Sequence, residues 1–149
     1  MIAMRIYLDA CCLQRPFDDQ TQPRIRVESE AVLAILAAVQ SGEVTLLNSE
    51  ALEFEISRIP DEQRLAEGLA VLSLATERLI VDAGSETLAV ALEKSGLNAM
   101  DALHLALASV AEADFFATTD DKLLRKAKTH AGISCKPVSI LELASEVNK

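Results

Sequence analysis

The chain predicts an α/β domain built on a parallel sheet with helices over both faces. Short apolar strands alternate with amphipathic helices along its whole length. The strands are too short and too uniformly apolar for an antiparallel sheet that faces water on one side. A chain of 149 residues, 50% of them hydrophobic, is long enough to bury one sizeable core, so a single domain is expected.

Strands are expected near residues 4–8, 44–47, 79–82, 115–118 and 135–138. Helices are expected near 27–41, 49–58, 61–75, 85–95, 98–111, 120–129 and 139–147. Gly42 and Gly96 act as helix stops, and Pro60 separates two helices. No repeat, low-complexity tract or linker divides the chain. In sheets of this kind the ligand crevice lies beyond the carboxyl ends of the strands. "RIYLDACC" delivers Asp9 to that place.

Composition limits the setting. Apolar runs such as "AVLAILAAV" fall far short of the roughly 20 residues that cross a bilayer, and no basic segment followed by an apolar signal core opens the chain. Cys11, Cys12 and Cys135 form an odd set without a CxxC pair, which argues against a disulfide framework or a thiolate zinc site and for a reducing cytoplasm. Fourteen Lys and Arg against 23 Asp and Glu give 14 − 23 = −9, a surface that repels polyphosphate unless cations or a local basic patch intervene. Two such patches exist, Arg15, Arg24 and Arg26 in one, and Lys122, Arg125, Lys126, Lys128 and His130 in the other. Arg15 and Arg24 are the expected substrate contacts.

The acids carry the functional signal. "FFATTDDKLL" sets Asp120 and Asp121 directly after a strand, with the hydroxyls of Thr118 and Thr119 beside them; an aspartate there is also a preferred helix cap. In "LNAMDALHLALASV" Asp101 is the only acid of an otherwise buried helix, at the third position after the cap Asn98. His104 stands one turn on, as a hydrogen-bonded core histidine in preference to a ligand, since two histidines cannot build an ordinary zinc site. In "SEALEFEISRI" the residues Ala51, Leu52, Ile56 and Ile59 define one face at about 100° per residue, and that arc contains Glu55 but not Glu53. A glutamate on an apolar stripe must be paired, neutral or bound to a cation. With no Lys or Arg on the same face, a cation is the economical partner.

Asp9, Glu55, Asp101 and Asp120 therefore converge from two strand ends and two helices. Oxygen-only clusters suit Mg²⁺ or Mn²⁺, and such ions acidify a bound water and neutralise charge on a phosphate under attack. The chemistry indicated is phosphodiester hydrolysis.

"YLDACCLQRPFDD", "SEALEFEI", "NAMDALHLALA" and "FFATTDDKLL" also resemble, in order and approximate spacing, the PIN domain over essentially the whole chain. Single-domain PIN proteins include the VapC-like toxin ribonucleases of bacterial toxin–antitoxin pairs. The resemblance implies a three-layer α/β/α sandwich with parallel strand order 3-2-1-4-5, and a Mg²⁺- or Mn²⁺-dependent endoribonuclease with RNA as substrate. A small protein antitoxin is the implied partner, and domains of this type can form homodimers. Residue by residue, the catalytic and metal-binding set is Asp9, Glu55, Asp101 and Asp120, with Asp121 as an accessory metal ligand and Thr118 as a substrate contact. The family's small polar residue after the first aspartate falls at Cys11 or Cys12, where this chain carries a thiol.

Two other readings compete. A PIN-fold protein whose acids are mainly structural would bind a partner without catalysis. A phosphatase with an aspartate nucleophile would want a second acid two residues after Asp9, and position 11 is cysteine.

Overall fold

In the computed structural model, which describes residues 3–148, β1 (Met4–Leu8) is the central strand of a five-stranded parallel sheet of order β3-β2-β1-β4-β5. Its neighbours are β2 (Val44–Ser49) and β4 (Phe115–Thr118), with Ile6 in register with both Leu46 and Phe115. β3 (Glu77–Leu79) and β5 (Lys136–Ser139) form the edges. Ile6, Tyr7 and Leu8 are fully buried, as expected of a strand covered on both faces.

Among the described residues eight α-helices connect and flank the strands: α1 (Ala10–Gln14), α2 (Pro23–Gln40), α3 (Glu50–Ser57), α4 (Glu62–Leu72), α5 (Ala83–Lys94), α6 (Ala99–Val110), α7 (Asp121–Thr129) and α8 (Ile140–Val147). α2 packs with α8, and α5 packs with α6, to make the layers of a three-layer sandwich. After β1 the chain builds outward through β2 to β3, then returns to β4 on the other side of β1. The order therefore reverses between β1 and β4, which opens a crevice outside their carboxyl ends.

Gly42 (φ 82°) and Gly96 (φ 115°) end α2 and α5 in the left-handed region. The amides after them, of Glu43 and Leu97, bond back to Ala38 and Leu92, closing each helix end. Three expectations shift. The third strand lies at Glu77–Leu79, ahead of the apolar run at 79–82, because pairing with β2 ends at Ser49 opposite Leu79. A five-residue helix, Ala10–Gln14, and a 3₁₀ turn, Arg15–Phe17, follow β1 where no element was predicted. α2 begins at Pro23, four residues early, since proline's fixed φ suits a first helical turn.

Candidate metal centre at the β1–β4 crevice

Asp9 leaves β1 in extended conformation and caps α1, Oδ1 accepting from the Ala10 amide at 2.9 Å. Oδ2 accepts from the Thr118 hydroxyl at 3.0 Å and from the Cys11 thiol at 3.4 Å. Asp9 is only 6% exposed. Burial raises its pKa, the charge of Glu55 adds to the rise, and His104 and the two hydroxyl and thiol donors oppose it.

Asp120 caps α7 from the end of the neighbouring strand. Its Oδ1 accepts from the amides of Lys122 and Leu123 at 3.0 and 3.1 Å, and the rest of the side chain is exposed. Asp101 and Asn98 grip each other: the Asn98 carboxamide oxygen accepts from the Asp101 amide, and its NH₂ donates to Asp101 Oδ2, both at 2.8 Å. Asp101 and Asp120 line one cavity of about 290 Å³ together with Lys122 and Lys126. Desolvation, then the negative charges of Asp9 and Asp120, push the Asp101 carboxyl up to about 6.

Glu55 reaches the crevice from α3. A carboxylate oxygen of Glu55, one of Asp9 and a ring nitrogen of His104 lie within 4.8 Å of one another. The side chain is 41% exposed, so the apolar-stripe argument overstated its burial while placing its direction. Glu53 points away and is held by Arg78 at 2.7 Å and Asn48 at 2.8 Å. Glu50 accepts from the Val81 amide. Among the described residues Glu55 has no Lys or Arg ion pair, but it does have a nitrogen partner in His104, whose Nε2 lies 2.6 Å from Glu55 Oε1.

The remaining predicted residues stand around this group. Thr118 is buried between Asp9 and the Asp120 amide, from which its hydroxyl oxygen accepts at 3.1 Å; it orients the Asp9 carboxylate and, so buried, does not stand where a substrate contact was expected. Both Asp121 oxygens are taken by Arg24, each at 2.9 Å, and Arg24 also donates to the Thr119 carbonyl. That pairing holds the Asp121 carboxyl below its usual range. Arg15 is 19% exposed and forms ion pairs with Asp18 and Glu28 at 3.2 Å. Among the described residues no lysine or arginine is ion-paired to Asp9, Glu55, Asp101 or Asp120. Cys11 occupies the place expected for a small polar residue, and the Thr118 hydroxyl beside it supplies the oxygen donor that Cys11 lacks.

Lys122 and Lys126, from the second of the two basic patches, line the cavity, whereas nothing in the sequence pointed to Tyr7 and Ser49 behind His104. Tyr7 could have been noticed as the residue two before Asp9, on the same side of β1.

The residue pattern of the PIN domain matches residues 6–129. The chain belongs to the PIN domain family. PIN domains are generally nucleases and typically use divalent metals. No curated protein matches the chain. Among solved PIN-like structures, that of PAE2754 from Pyrobaculum aerophilum superposes with a TM-score of 0.59 at 16% identity, covering 99% of this chain and 98% of that one. VapBC2 from Rickettsia felis, bound to a DNA fragment from their promoter, superposes with a TM-score of 0.54 at 15% identity, covering 91% and 98%. Both likenesses concern the fold.

Proposed function

We propose that the protein is an endoribonuclease that hydrolyses RNA phosphodiester bonds with Mg²⁺ or Mn²⁺ held by Asp9, Glu55, Asp101 and Asp120. One observation carries the reading: Asp9 and Glu55 oxygens lie within 4.8 Å of each other and Asp101 and Asp120 line one cavity, and burial together with this crowding pushes the Asp101 carboxyl up to about 6. Carboxylates crowded with no Lys or Arg ion-paired to them are unfavourable in the free protein, and a divalent cation is the partner that relieves them.

A bound Mg²⁺ or Mn²⁺ would supply an acidified water and neutralise charge at the scissile phosphate. The chain's own residues do the rest. Thr118 and the Ala10 amide fix the Asp9 carboxylate, and Asn98 fixes that of Asp101. Lys122, at the mouth of the cavity, provides positive charge for a substrate phosphate in an acidic protein. Arg24 contributes through its bulk positive charge beside Asp121, and Arg15 by stiffening the turn after α1.

The structural reading has a specific observation in its favour, since the Asp9 and Asp120 carboxylates cap helices and that of Asp101 accepts from the cap residue Asn98. A carboxylate has about four lone-pair sites, however, and the caps leave oxygens over. The toxin assignment, with a small protein antitoxin as partner, rests on the likeness to VapBC2. No helix of the described residues is long and apolar enough to cross a membrane, and the three cysteines are unpaired, which fits a cytoplasmic enzyme. Homodimers through an apolar helix pair complete the reading.

The test is cleavage of a labelled single-stranded RNA by purified protein with Mn²⁺, Mg²⁺ or EDTA. Cleavage with either metal and none in EDTA is the expected result; robust cleavage in EDTA overturns the metal mechanism.

A further inference from the structure

We infer that His104 is a positioning residue, with its proton on Nε2, that aims Glu55 at the metal and is not itself a ligand. The inference rests on the metal site proposed above. His104 is fully buried and both ring nitrogens are engaged: Nε2 with Glu55 Oε1 and Nδ1 with the Tyr7 hydroxyl, each at 2.6 Å. The Tyr7 hydroxyl in turn lies 2.7 Å from Ser49 Oγ, and Ser49 Oγ accepts from the Leu52 amide at 3.0 Å.

The directions of these bonds follow from one another. A carboxylate only accepts, so Nε2 carries the hydrogen. With the ring hydrogen on Nε2, Nδ1 accepts from Tyr7, whose oxygen accepts from Ser49, whose own oxygen is occupied by an amide. Every hydroxyl gives one hydrogen bond and takes one, and no buried donor in the series is left over. A nitrogen bearing the hydrogen has no lone pair for a metal, so the 4.8 Å grouping of Asp9, Glu55 and His104 does not make His104 a ligand.

The series also ties together the parts that carry the carboxylates. Tyr7 is on β1 two residues before Asp9, His104 is on α6 three residues after Asp101, and Ser49 caps the helix that bears Glu55. Glu55, its side chain 41% exposed, is braced from behind by a fully buried ring that packs edge-on against Tyr7. Its other oxygen is left for a cation.

Two measurements on the full protein decide the matter, neither needing RNA. In ¹H–¹⁵N spectra of the imidazole, a hydrogen-bonded Nε2–H should be present in the free protein and persist with saturating Mg²⁺. Its loss on adding Mg²⁺ would make His104 a ligand and overturn the inference. By calorimetry, His104→Leu should weaken Mn²⁺ binding by about 10–100-fold, the usual effect of losing an outer partner of a metal ligand. His104→Gln, which keeps a donor near Nε2, should recover most of that loss. If His104→Leu does not fold, Tyr7→Phe, which removes only the hydroxyl, should weaken binding by roughly 10-fold, the low end of the same range. Unchanged affinity in the folded variant overturns the inference alone. A parent protein that takes up neither Mn²⁺ nor Mg²⁺ overturns the nuclease reading and this inference with it.

Discussion

Asp120 and Asp121 are chain neighbours that face different partners: Asp120 caps α7 and borders the cavity it shares with Asp101, while both oxygens of Asp121 are bound by Arg24. Backbone geometry separates them, because Asp120 is extended at the cap and Asp121 begins the helical turn. Their roles should separate as well.

Asp120→Asn is therefore expected to keep most of its capping, since Asn is also a good cap, but to weaken Mn²⁺ binding and abolish RNA cleavage. Asp121→Asn removes only an exposed, solvent-screened ion pair with Arg24 and should leave metal affinity near that of the parent. Calorimetric titration of both variants with Mn²⁺ checks this. Equal losses would return Asp121 to the metal site.

The same test of direction applies on α3. Glu55→Gln should abolish cleavage and reduce the rise in melting temperature that metal gives, a rise that reports binding to the folded state only. Glu53→Gln breaks the contact with Arg78, outside the crevice, and should retain most activity. A reversal of the two phenotypes would move the ligand to Glu53.

Asp9, Asp101 and Asp120 were legible in the sequence because each stands at a strand end or first helical turn, and Glu55 because helical phase alone sets its direction. The partners were not legible. Glu55 and His104 are 49 residues apart and Arg24 and Asp121 are 97 apart, so only the closed fold brings them together. The third strand was misplaced because its apolar run is not its paired segment: Glu77 and Arg78 are exposed, and edge pairing, not burial, defines the strand. Helix Ala10–Gln14 escaped because five residues are too few to show a period.

Gly68 gives a test of the packing that supports Glu55. A Cβ there would sit 3.0 Å from Ile56 Cγ2 and 3.1 Å from Gln14 Nε2. Alanine gains about 1 kcal/mol of helix propensity over glycine, whereas overpacking costs about 1–3 kcal/mol. Ile56 is fully buried in the core beside Gly68, so yielding to a Cβ means moving a packed side chain, not the tip of a solvent-exposed one. The cost should win, so Gly68→Ala is expected to lower the urea midpoint by about 1 kcal/mol equivalent. A raised midpoint would show that α3 and α4 can separate freely.

Asp101 is where the catalytic and structural accounts differ in sign. As a helix-cap residue alone it would stabilise by about 0.3–1 kcal/mol through the helix dipole, and Asp101→Asn would lower the melting temperature. With its carboxyl pushed up to about 6 from an ordinary 3.8, the folded protein binds a proton that the unfolded chain releases. The stabilisation from that proton is complete below pH 3.8 and is lost as pH rises through about 6, because unfolding over this window releases a proton. Above that pH the metal-free protein carries Asp101 ionised among Asp9, Glu55 and Asp120. Asp101→Asn should therefore raise the melting temperature in EDTA at pH 7, with the gain shrinking towards pH 4. Its contact with the Asn98 NH₂ can be kept by the new amide oxygen, so relief of repulsion is not offset by a lost bond. The same variant should lose cleavage and most of the shift produced by millimolar Mn²⁺. Differential scanning fluorimetry of both proteins across that pH range, with EDTA and with metal, is decisive: a variant less stable in EDTA at pH 7, with its metal shift intact, would make Asp101 a cap and remove it from the metal site.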